Sequence, residues 1–194
     1  MNQEIYSRVI DEIDKRNSCD PNIEVEVGQN IPKELLYSKR MVETAKKFAP
    51  NASFELQIAC RGQHIERWQY PRSEYDTGRV GYLTWRKMLY LKHAEIVVAI
   101  LKEFDATKES IGLVREIMEN KVTGSGDSQT LEDVACLVFL EYYFAAFIQK
   151  QSGEKLHTIV QKSWAKMSND AKKHALSISF SKDELSILKK SINL

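Results

Sequence analysis

The stretch GYLTWRKMLYLKHAEIVVAILKEF, residues 81–104, decides the fold class of this chain. Its apolar positions Tyr82, Leu89, Tyr90, Ile96, Val97, Ile100 and Leu101 recur at the three-, four- and seven-residue intervals of a helix face. Residues 82–104 contain no Gly or Pro, and the spacing predicts one long helix from about Gly81 to Phe104.

Upstream, residues 70–80 (YPRSEYDTGRV) read as a loop, because Pro, Gly, Ser and Asp crowd them. Before the loop a helix is expected from about Asn51 towards Trp68, closed by Pro71. Another is expected over roughly 33–48, behind Ile31-Pro32 and ahead of Pro50. Residues 3–16 put Ile5, Val9, Ile10 and Ile13 on one face, then end in the turn-rich NSCDPN. The alternating IEVEV at 23–27 suits a small strand or an extended linker.

Downstream, Thr107 caps a helix to about Asn120, and TGSGDS at 123–128 reads as a flexible linker. A strongly apolar helix follows over about 131–149, then two more near 154–167 and 182–192. The last opens with Ser181 and Glu184 in capping-box spacing. The expected architecture is all-α, a single helical domain over residues 1–194 with at most one short strand near the N-terminus.

With 194 residues, 43% of them apolar and 28% charged, the chain can bury one sizeable core. A net charge of +1 directs it neither to nucleic acid nor to a membrane surface. Cys19, Cys60 and Cys136 are odd in number and widely spaced, so neither a disulfide framework nor a cysteine zinc site is expected. The charged opening lacks a signal-peptide pattern, and the longest apolar run, Val134 to Leu140, is too short to span a bilayer. A reducing cytoplasm is the expected compartment.

The informative residues interrupt apolar stripes. His93 lies four residues after Leu89 and four before Val97, so its ring nitrogens need partners inside the core. It is either a core histidine bonded to a carbonyl or a ligand. Asp133 shares a helix face with Cys136, Leu137, Leu140 and Phe144. It is either a first-turn cap in Thr130-Leu-Glu-Asp133 or a metal ligand. His64, between Cys60 and Trp68, is the third candidate; Glu66 and Glu95 are expected to face solvent, and His157 and His174 to be structural or surface residues.

Residues 61–87 hold Arg61, Arg67, Arg72, Arg79, Arg86 and Lys87 against Glu66, Glu74 and Asp76. Trp68, Tyr70, Tyr75, Tyr82 and Trp85 are interleaved with them. Guanidinium groups pair with phosphate or carboxylate and aromatic faces stack on rings, so this stretch could rim a pocket for an anionic molecule. Surface charge with cation–π packing explains the same pattern.

Several stretches resemble the HD-type metal-dependent phosphohydrolases, which carry a His, a His-Asp pair and a distant Asp on separate helices. YSKRM at 37–41 resembles the family's HSxRV pattern, with Tyr37 in the His position. ACRGQHI at 59–65 resembles the segment of the pair, with Gln63 and His64 in its two positions. His93-Ala94-Glu95-Ile96 resembles the next family helix, and LEDVA at 131–135 places Asp133 at the final Asp. Together YSKRM, QHIERW, YPR, GYLTWR, KHAE and QTLEDVACLVFLEYYF resemble a family known as a domain of unknown function, over about residues 31–149.

The resemblance implies an HD-like helical core. It also implies a divalent metal (Mn, Fe, Ni, Co or Zn) held by His64, His93 and Asp133, with Gln63 or Tyr37 assisting. Arg61, Arg67, Arg72, Arg79 and Arg86, with Trp68 and Trp85, would hold a small phosphorylated or otherwise anionic metabolite for hydrolysis. The alternative is a non-catalytic binding module of the same fold, recognising an anionic ligand or a partner through the Arg/Trp/Tyr loop. HIER at 64–67 and KMSND at 166–170 resemble aminoacyl-tRNA synthetase motifs, but those work from a doubly wound parallel sheet that this pattern cannot build.

Overall fold

The computed structural model describes residues 1–119 and 126–193. Ten α-helices carry the described chain, with one small antiparallel hairpin as its sheet. In order they are α1 (Gln3–Asn17), β1 (Ile23–Glu26), β2 (Gln29–Pro32), α2 (Lys33–Phe48), α3 (Phe54–Gly62), α4 (Gly78–Glu103) and α5 (Lys108–Glu119). Then come α6 (Gly126–Val138), α7 (Phe144–Lys150), α8 (Gly153–Lys166), α9 (Asn169–Ala175) and α10 (Lys182–Ile192). The mostly helical expectation holds. The chain divides into two compact units, Met1–Leu131 and Glu132–Leu194.

In the first unit α4 and α5 form a helical hairpin, α3 packs on α2, α1 and α5, and α1 also meets α4. Val9, Ile13, Leu36, Met41, Ile58, Val97, Ile100, Leu101 and Val114 form its buried centre. Gly62 permits the close crossing of α3 on α4, since a Cβ there would lie 2.4 Å from Val97 Cγ2. Leu89, His93, Val97, Ile100 and Leu101 are buried as the period requires, whereas Tyr82 is 44% exposed.

In place of one strand or a linker, β1 and β2 pair in the register Ile23↔Pro32 to Glu26↔Gln29. Val27 (φ 49°) and Gly28 (φ 78°) form the two-residue turn. Positive φ at both turn positions matches the natural twist of a hairpin, and a glycine accepts it freely. The alternation is inverted relative to an ordinary half-buried sheet. Ile23 and Val25 are exposed, while Glu24 and Glu26 reach Arg40 of α2 at 2.6 and 2.9 Å.

The helix expected over 51–68 is shorter. Ser53 caps it by accepting the Leu56 N–H, and α3 stops at Gly62. Turns then lead to a short 3-10 turn at Arg67–Gln69, preceded by Glu66 in the left-handed region (φ 53°, ψ 26°). The loop before α4 is closed by Arg72, which donates to the carbonyls of Tyr75, Asp76 and Gly78. Gly81 lets the Asp76 carbonyl approach α4, since a Cβ would sit 1.9 Å from that oxygen.

In the second unit the helix expected over 131–149 is divided. α6 passes into a π-helical turn, Phe139–Tyr143, before α7 continues. Phe144 is fully buried and meets Phe180 edge-on at 6.1 Å between ring centroids. α8 packs on α10, whose capping box at Ser181 and Glu184 is formed as expected. The short helix α9 adds to the expected set; Ser168 caps it by accepting the Ala171 N–H. Of the linker read at 123–128, residues 123–125 lie outside the described residues, and Gly126–Ser128 open α6. None of the described helices is long and apolar enough to cross a membrane.

Candidate functional site

Three chain segments of the first unit supply one polar cluster: the start of α2, the end of α3 with its following turn, and the middle of α4. Asp20 fixes the start of α2 by accepting the Glu34 N–H on Oδ2 at 2.9 Å, while its Oδ1 accepts the Asn22 N–H. This gives α2 the cap that Pro32 has no side-chain hydrogen bond to provide. Glu34, only 6% exposed, is thereby held one turn before Tyr37 and Ser38.

Tyr37 donates to Gln63 Oε1 at 2.7 Å and stacks its ring on His64, with centroids 4.1 Å apart and planes 12° apart. His64 Nδ1 lies 3.3 Å from Glu34 Oε2, and its Nε2 lies 2.9 Å from Arg67 Nη1. Arg67 can only donate, so His64 Nε2 is the acceptor and the ring proton resides on Nδ1, facing the carboxyl. The Arg67 guanidinium also lies over the Trp85 ring, 4.8 Å from its centroid, and Trp85 Nε1 donates to the Tyr70 carbonyl.

His93 comes from α4, with its ring centroid 6.0 Å from that of His64. It hydrogen-bonds the Gln63 backbone, and its Nε2 is buried with no hydrogen-bond partner.

These surroundings displace the ionisation of all three groups. Burial pushes Glu34 up to about 7, against the pull of Arg67 and Lys33. Burial, with the charges of Arg67, Lys33 and Arg86, holds His64 well below its ordinary value. Burial, with His64 and Arg67, takes His93 down to about 3. At neutral pH both imidazoles are neutral, and the raised Glu34 carboxyl is the group of the cluster placed to exchange a proton.

The structure thus brings together Tyr37, Gln63, His64, His93 and Arg67 of the residues read from sequence, and adds Glu34. The acid was legible only as a first-turn carboxylate behind Pro32, a position that ordinarily favours the helix dipole without further meaning. Asp133 belongs to the second unit, where its Oδ1 accepts the Ser168 N–H at 2.8 Å. Beside it, Glu132 pairs with Lys166 at 2.7 Å.

The remaining basic residues have other work. Arg61 is buried and bonded to Asp14 through Nε at 2.6 Å and through Nη2. Arg72 closes its own loop, as described above. Arg86 bonds the Tyr90 hydroxyl and lies 5.4 Å from the centre of its ring. Arg79 is exposed in the first turn of α4, and Trp68 is half-buried in the 3-10 turn. In the second unit His157 Nδ1 bonds Ser191 Oγ at 2.8 Å.

A resident metal needs at least three converging donors. Among the described residues no three His, Cys, Asp or Glu side chains gather closely enough to hold one. In the cluster itself one nitrogen of His64 faces a guanidinium, which repels a cation. The donors as they stand do not fit a metal.

The fold and cluster define a mostly helical protein with a His–Glu–Arg site in its first unit, in which Glu34 is buried and His64 and Arg67 are half-buried. The chain belongs to the family described as a domain of unknown function, DUF4202, whose profile matches residues 7–188. No curated protein and no solved structure matches it.

Proposed function

We propose that this chain is a hydrolase of a small phosphorylated or otherwise anionic metabolite, working from the Glu34–His64–Arg67 cluster on a degenerate HD-type frame. The observation that carries the reading is convergence. Tyr37, Gln63, His64 and His93 come from three segments, align by resemblance with ligand-bearing positions, and lie in one cluster. Glu34 Oε2 stands 3.3 Å from His64 Nδ1, and Nε2 is the base that would take a proton from water or a hydroxyl nucleophile. Arg67, now on that nitrogen, is the group an incoming phosphate or carboxylate would attract, and its departure would free the base.

The first experiment is a screen of phosphate monoesters, diesters and nucleotides, with and without a chelator, on wild type and His64→Ala. Turnover that persists in chelator and falls at least ~100-fold in His64→Ala, the scale of a lost general base, supports the reading. Equal turnover by both proteins would overturn it.

One observation favours a second reading, a non-catalytic module that binds an anion. His64 Nε2 is already satisfied by Arg67, so the cluster is complete as a hydrogen-bonded structure. That reading predicts saturable binding of inorganic phosphate or a nucleotide, abolished by Arg67→Ala, with no turnover of any ester in the screen.

A further inference from the structure

Arg67 reaches both His64 and the Trp85 ring because the chain turns sharply after α3. The turn is made at Glu66, a non-glycine residue in the left-handed region (φ 53°, ψ 26°). Such a conformation crowds Cβ against the backbone and persists only where the surroundings hold it. With Glu66 right-handed, the chain would continue along the helical path instead of turning into Arg67–Gln69.

The hold comes from α1. Asn17, its last residue, is completely buried, and its Oδ1 accepts the Glu66 N–H at 3.2 Å. Arg16 adds a looser contact to Glu66 Oε1 at 3.4 Å, itself anchored on Glu12 at 3.0 Å. Asn17 Nδ2 has no hydrogen-bond partner. A buried amide whose oxygen alone is used, on the one backbone N–H that precedes Arg67, is costly for a residue that merely fills space.

We infer that Asn17 is a positioning residue: it holds the left-handed turn at Glu66 and so sets the Arg67 guanidinium against His64 Nε2. The inference rests on the proposed site but not on its chemistry. It extends the site to a residue of a helix that supplies none of the cluster's own side chains.

The test reads the His64 ring nitrogens by ¹⁵N NMR in the full chain, for wild type, Arg67→Ala, Asn17→Ala and Asn17→Ala combined with Glu66→Gly. Asn17→Ala is expected to move the His64 Nε2 resonance most of the way to its position in Arg67→Ala. Glycine adopts the left-handed turn unaided, so adding Glu66→Gly is expected to bring the resonance back towards wild type. Asn17→Ala also removes an unpartnered donor, which tempers its cost to folding.

A wild-type resonance in Asn17→Ala overturns the inference. So does a double variant that fails to fold or keeps the displaced resonance, because the role of Asn17 would then lie elsewhere. These signals do not depend on turnover, so a protein that hydrolyses nothing in the screen still decides the role of Asn17.

Discussion

Glu34→Gln separates the ionisation of the cluster from its shape. The carboxyl is 6% exposed and is pushed up to about 7, whereas an unfolded glutamate titrates near 4.5. Between these values the folded chain binds a proton that the unfolded chain has released, so stability falls as pH rises from 4.5 to 7. The difference corresponds to about 3 kcal/mol at full extent, of which about 2–3 kcal/mol lies between pH 5 and pH 8.

The amide introduced by Glu34→Gln keeps an acceptor for His64 Nδ1 and does not titrate. The variant should therefore gain on wild type by about 2–3 kcal/mol between pH 5 and pH 8. The wild-type curve alone hides this slope. His93, taken down to about 3, and the lowered His64 make stability rise with pH below about 6.5, opposing Glu34 there. The assay is urea unfolding of both proteins at pH 5, 6, 7 and 8, comparing midpoints at unchanged slope. A stability difference that stays constant across those four pH values would refute a raised Glu34 and remove the acid–base argument for the site.

Val27→Asn should stabilise the hairpin by about 1 kcal/mol, because a β-branched residue at φ 49° is strained and Asn-Gly suits this turn; an unchanged or lower melting temperature would count against it. Gly62→Ala should cost about 1–3 kcal/mol through the clash with Val97 Cγ2, and Val97→Ala should restore part of that in the double variant. Arg61→Ala should lose about 2 kcal/mol by stranding partly buried Asp14, while Arg79→Ala should stay within about 0.5 kcal/mol of wild type in the same melts. Protein purified without a metal-affinity tag should hold far less than one equivalent of Mn, Fe, Ni, Co or Zn by elemental analysis. Near-stoichiometric metal lost in both His64→Ala and His93→Ala would overturn the metal-free reading of the cluster.

Much of the helical order was legible because burial and period coincide. On α4 the side chains of Leu89, His93, Val97, Ile100 and Leu101 are all buried, and the capping box at Ser181 forms as its spacing requires. Two boundaries were not legible. Glu66 adopts a conformation its residue type does not announce, so periodicity places the end of α3 about one helical turn and a half too late. The β1–β2 turn uses Val27, which gives no turn signal, and the strand's acids face a buried arginine.

Sequence alone determined that this chain is mostly helical and that His64 and His93 interrupt apolar faces, because side-chain period is a local property of the backbone. The family relationship likewise resides in the sequence. Tertiary structure decided which polar residues meet. Glu34 and His64 are thirty residues apart and approach only because Asp20 pins the start of α2 beside the turn after α3. It also decided which arginines are committed: Arg61 and Arg67 belong to the same stretch of sequence, yet one is sealed against Asp14 and the other faces His64. The physical reason is that a charged side chain's role is set by the partner that compensates its desolvation, and that partner comes from another element of the fold.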